Sequence, residues 1–149
     1  AHAERGRVMR RRGFLAAAAG TLGALFFSIR AAADLSVLGT GVFRDGDPVH
    51  RGSGNLRISR ADSGARSVEL LGMQIVPGPN LFVYLVENED PLFPEDVEVK
   101  FLSLGKLKSL TGDQSYAIPV DVDLAAWGSV VVWCDTFKTA FAVGTIAHI

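Results

Sequence analysis

Cysteine is almost absent from this chain. Cys134 is the only one in 149 residues. A single cysteine excludes an internal disulfide and covalent haem attachment through C-x-x-C-H. Histidine is nearly as scarce, with His2, His50 and His148. There is no G-x-S-x-G elbow, no H-E-x-x-H and no P-loop, so hydrolytic and nucleotide chemistry have no motif to stand on. Gly39-Thr40-Gly41 lacks the third glycine of a dinucleotide site. No segment keeps a 3.6-residue apolar period over several turns, which argues against a helical fold.

Charge of one sign is also missing, but only locally. Residues 1–33 carry six Lys/Arg and one acid; from Asp34 onward nine Lys/Arg face fifteen Asp/Glu, a net charge of −6. An acidic body without clustered Lys/Arg disfavours nucleic acid and anionic lipid. The basic head reads as an export signal. Arg10-Arg11-Arg12-Gly13-Phe14-Leu15 fits the twin-arginine pattern, with Arg11, Arg12, Phe14 and Leu15 at its centre. The apolar stretch from Leu15 to Ile29 is shorter than the roughly 20 residues of a spanning helix. Ala31-Ala32-Ala33 then supplies small residues for cleavage. The expectation is a signal over residues 1–33, cleaved after Ala33 by way of the twin-arginine export machinery. The mature domain, residues 34–149, would then be periplasmic or secreted, in an oxidising setting, without a membrane span. The alternative is an uncleaved anchor.

What the body does contain is short strands separated by turn residues. Gly41-Val42-Phe43 is a brief apolar piece, ended by Arg44-Asp45-Gly46-Asp47-Pro48. Residues 55–59 alternate apolar and polar, Asp62-Ser63-Gly64 is a hairpin turn, and residues 67–75 return. Pro77-Gly78-Pro79-Asn80 breaks the chain before the continuous apolar run 81–86. The acidic stretch 87–98 reads as a surface loop without the spacing of a calcium loop. A strand over 99–104, turn chemistry through 105–114 and one helical turn near 122–127 follow. Residues 130–133 read as a strand covered on both faces. Val130, Val132 and Cys134 would share one face, Val131 and Trp133 the other. Seven to nine such strands predict an all-β fold, an antiparallel sandwich or barrel-like single domain.

The residues able to carry chemistry are few. Cys134 is either a small buried hydrophobe or a thiol in use, since an unpaired cysteine in an oxidising compartment needs shielding or a role. Asp135 beside it opposes thiolate formation, and Lys138 could help only if the turn folds back. His50 is the best partner, because imidazole and thiolate suit haem iron, copper and zinc; the plain alternative is a solvated turn histidine. His50, His148, Cys134 and Met73 match the inventory of a blue-copper site but not its spacing. His148 reads as a frayed end. Tyr84, Tyr116, Trp127 and Trp133 read as packing.

Taken in order, these pieces resemble the DM-thirteen domain, a small extracytoplasmic β module. The matching residues are Gly41-Val42-Phe43, His50 before Gly52-Ser53-Gly54, residues 78–85, 104–108 and 112–119, and Ser129 to Cys134 with Phe137 and Phe141. Asn80 stands where that family often has Asp. The resemblance implies electron transfer, with Cys134 as the redox centre, either a bare thiol or a ligand to a prosthetic group such as haem, and His50 as a second ligand. It further implies an electron carrier or accessory rather than a turnover enzyme, working with a separate redox protein or envelope component. The competing expectation is a non-catalytic envelope binding or adhesion module with a buried structural cysteine.

Overall fold

The two most apolar strands lie side by side. In the computed structural model, which describes residues 34–149, β4 (Leu81–Val86) pairs antiparallel with β7 (Ser129–Cys134), from Leu81 opposite Cys134 to Val86 opposite Ser129. The export signal and its cleavage site lie outside the described residues.

Around this pair run β1 (Ser36–Asp45), β2 (Gly52–Arg60), β3 (Arg66–Ile75), β5 (Phe101–Lys106), β6 (Thr111–Ile118), β8 (Thr139–Thr145) and the short β9 (Ala147–His148). Every pairing is antiparallel, in the order β5-β4-β7-β8-β1-β2-β3-β6, with β9 on β1. Strands β5 and β6, the two ends of that path, come into contact, which curls the sheet into a nearly closed barrel. The all-β expectation holds.

Two layers of apolar side chains explain the sequence pattern. The barrel interior takes Leu56, Ile58, Val68, Leu70, Met73, Val83, Leu85, Val130, Val132, Cys134 and Phe141. A second cluster, with Tyr84, Val86, Val131, Trp133 and Val143, lies on the opposite face of β4, β7 and β8 under Val97. Val97 belongs to α1 (Pro94–Glu98). All six residues of β7 are therefore buried, as a strand covered on both sides requires. On the solvent side of β2 and β3, Arg57 holds Glu69 with two bonds of 2.7 and 2.8 Å, directly across the ladder. That guanidinium keeps the Glu69 carboxyl below its ordinary range.

Several local expectations are corrected. The piece at residues 41–43 belongs to a ten-residue strand, because pairing with β2 on one side and β8 and β9 on the other overrides its polar flanks. The turn chemistry through 105–114 ends early: β6 begins at Thr111 and follows β3, accommodating Gly112 at φ 86°. The acidic loop contains α1, entered through Pro94, with the Asp96 carboxylate accepting the N–H groups of Leu92 and Phe93. The helical turn is a 3₁₀ turn over Leu124–Ala126 capped by Asp123. His148 is not frayed: it pairs with Gly39, and its Nε2 lies 2.9 Å from the Trp127 carbonyl.

Candidate functional site

Cys134 closes β7, and its thiol points into the barrel interior with no exposure to solvent. Two backbone groups hold it. The S–H donates to the Pro79 carbonyl at 2.9 Å, and the sulfur accepts the Phe137 N–H at 3.4 Å. The first bond ties Cys134 to the 77–80 turn, where Asn80 adopts φ 56° and its carbonyl accepts the Asp135 N–H. The second closes the turn from β7 to β8, in which Lys138 sits at φ 53°. Asn and a turn residue can take this left-handed conformation at modest cost. Lys138 does not reach the thiol; its ammonium pairs with Asp135 at 2.6 Å.

Phe141 organises the neighbourhood. Across β7 and β8, Val132 faces Ala142 and Trp133 faces Ala140, so Phe141 is the extra residue of a bulge. A bulge re-aims side chains. Here it turns both Phe141 and Ala142 into the interior, while Ala140 and Val143 face the second cluster. The ring packs on the bare Cα of Gly78, where a Cβ would come within 2.5 Å of it. Its centroid lies 4.6 Å from the His50 ring, and the Phe137 ring lies 6.1 Å from that imidazole.

His50 is fixed by Asp47, a residue that sequence reasoning did not single out. The Asp47 carboxylate accepts the backbone N–H groups of Val49 and His50 at 2.8 and 2.7 Å, and its other oxygen lies 2.6 Å from His50 Nδ1. The bond from His50 holds the Asp47 carboxyl below its ordinary range, against the opposing effect of desolvation. With Nδ1–H given to a carboxylate, Nε2 is the nitrogen left for other chemistry. A short polar turn with Asp three residues before His was the available signal for this pair.

The 46–50 loop and Cys134 lie at the same end of the barrel. The Gly46 N–H bonds the Phe141 carbonyl, and Phe137 adjoins both candidate residues, through its N–H to the sulfur and its ring to His50. Cys134 and His50 do not bond each other directly. The blue-copper inventory is dispersed: His148 pairs with Gly39, about seven strand residues, or roughly 20 Å, from the Gly46 end of β1.

A haem or a metal shared by Cys134 and His50 does not fit this arrangement. The sulfur is sealed in the core with both contacts to backbone groups, and rings press on the imidazole. Cys134 lines none of the five principal clefts, and no group of three His, Cys, Asp or Glu converges among the described residues. A cleft of about 630 Å³ lies beside this end of the barrel, lined by Asp45, Arg51, Gly52, Gln74, Pro77 and Thr111, and neither Cys134 nor His50 lines it.

No curated protein and no solved structure matches the chain significantly. A family model described as Electron transfer DM13 matches residues 43–146, well over half of the sequence, from the end of β1 through β8. By that match the chain belongs to the electron transfer DM13 family.

Proposed function

We propose that this domain is an exported, extracytoplasmic electron carrier or accessory protein in which Cys134 is the redox-linked group, acting as a bare thiol. Family membership supports electron transfer in coarse terms. The observation that carries the finer reading is the placement of the only thiol at the barrel end where the Asp47–His50 pair and the half-exposed Phe137 meet. Electron exchange with an outer partner needs no contact with the sulfur, whereas thiol–disulfide exchange does; burial therefore favours the former. An electron leaving the S–H group releases the proton that the thiol directs at the Pro79 carbonyl, and that proton passes to solvent at the exposed 77–80 turn. The acceptor is a separate redox protein or envelope component. Among the described residues no helix is long and apolar enough to cross a membrane.

One observation favours a second reading, a binding or adhesion module with a structural cysteine: the thiol is buried and bonded twice to backbone. Labelling separates the two. With the mature protein isolated from its native host, N-terminal sequencing is expected to begin at Asp34; a start upstream of Phe14 would refute export cleavage. A maleimide probe is expected to leave native Cys134 unmodified. After treatment with a one-electron outer-sphere oxidant and then unfolding, less than one free thiol per chain should remain. A full equivalent of free thiol after that treatment supports the structural reading instead.

A further inference from the structure

Resting on Cys134 as the redox-linked group, the structure points to a docking surface for its electron partner, and we infer that this partner presents an apolar patch ringed by Lys and Arg. Large apolar side chains are exposed around the Asp47–His50 pair: Val49, Leu92, Phe93 and Phe137 are between 57 and 76% exposed. They form one neighbourhood. Asp47 and Phe93 line a common cleft with Leu92 and Trp133, Asp47 holds His50, and His50 meets the Phe137 ring. Contiguous apolar exposure of this kind marks interaction sites. It also adjoins one of the two groups that hold the thiol, since Phe137 bonds the sulfur by its N–H and presents its ring to solvent.

Charge identifies the occupant. Pro94 and Val97 of α1 line one cleft with Trp133, Thr139 and Ala140, and Val97 packs in the cluster of Trp133, which brings α1 beside the turn between β7 and β8. Seven carboxylates rim the patch (Asp45, Asp47, Asp90, Glu95, Asp96, Glu98 and Asp135) against three cations, Arg44 on Asp90, Arg51 on Asp45 and Lys138 on Asp135. Glu95 and Glu98 are exposed and form no ion pair among the described residues. A second copy of this chain would bring like charge against like; a cationic rim complements it and steers association.

The test is an amide NMR titration of the mature protein with a soluble, positively charged c-type cytochrome at low ionic strength. Shifts are expected at residues 46–50, 90–98 and 135–139, with affinity falling about tenfold on adding about 0.2 M salt. Glu95→Lys with Glu98→Lys should weaken binding about tenfold, with the remaining amide spectrum reporting an intact fold, while Asp62→Lys leaves it unchanged. Absence of binding at low salt, shifts centred on another face, or indifference to the Glu95/Glu98 change overturns the inference. Cys134→Ser should dock as the wild type does, so a failure of the thiol reading alone would leave this map intact.

Discussion

Replacing Phe141 by alanine is expected to lower the unfolding free energy by about 3–5 kcal/mol, the range for emptying a buried aromatic site. The ring is 1% exposed and occupies the bulge position that faces the interior. It has no close substitute. Gly78 on one side supplies only backbone for it to rest on, and His50 on the other is held by its own bonds to Asp47, so the surroundings cannot collapse cheaply into the void. Urea unfolding should show the midpoint fall with little change in slope. The proton shifts of His50 should move as the ring current is lost. A change below about 1 kcal/mol would mean that the ring does not wedge this end of the barrel.

Gly46→Ala is expected to be nearly as damaging, about 3 kcal/mol, at the upper end for forced insertions. A Cβ on Gly46 would lie 1.7 Å from the Ala140 carbonyl oxygen and 2.4 Å from its carbon. These are backbone atoms of β8, which cannot rotate aside as a side chain can. Relief requires β1 and β8 to part where the Gly46 N–H bonds the Phe141 carbonyl, carrying the Asp47–His50 loop with them. Gly64→Ala makes the contrast. Nothing lies within 4 Å of a Cβ there, and only φ 87° opposes it, a cost of about 1–2 kcal/mol. Equal urea midpoints for the two variants would show that close approach is not what Gly46 provides.

The sequence conveyed the strands wherever burial made the pattern local. The run 81–86 and the strand ending in Cys134 were legible because both faces are covered, and the two sides of β7 fall as alternation dictates: Val130, Val132 and Cys134 in one cluster, Val131 and Trp133 in the other. β1 and β6 were not legible at full length, since their polar and glycine-containing parts are strand only through pairing with neighbours distant in sequence. The same holds for His148, whose order depends on Gly39. At the site, Cys134 and His50 stood out by scarcity, but the groups that bond them did not. A carbonyl such as that of Pro79 has no sequence signature, and a bulge at Phe141 is decided by register rather than residue type. The ligand pairing of thiol and imidazole was chemically reasonable from residue types alone, yet the fold gives each a different hydrogen-bond partner.

Scarcity also frames the chemistry. With one thiol per chain, no resolving cysteine is at hand, so any disulfide would have to borrow its second sulfur from another molecule. The two backbone bonds and complete burial protect the thiol from stepwise oxidation. Both properties suit a shielded electron exchange at the end of the barrel better than an exposed disulfide relay.

The most direct measurement is a redox titration with simultaneous absorption spectroscopy and metal analysis, on the mature wild-type protein and Cys134→Ser, both from the native host. The expected result is a reversible redox transition in the wild type that vanishes in Cys134→Ser, with no haem Soret band and no stoichiometric metal in either. A transition that survives in Cys134→Ser, or no transition at all, would remove Cys134 from electron transfer. A Soret band or stoichiometric metal lost with the thiol would show instead that the sulfur holds a prosthetic group, contrary to the sealed geometry described above.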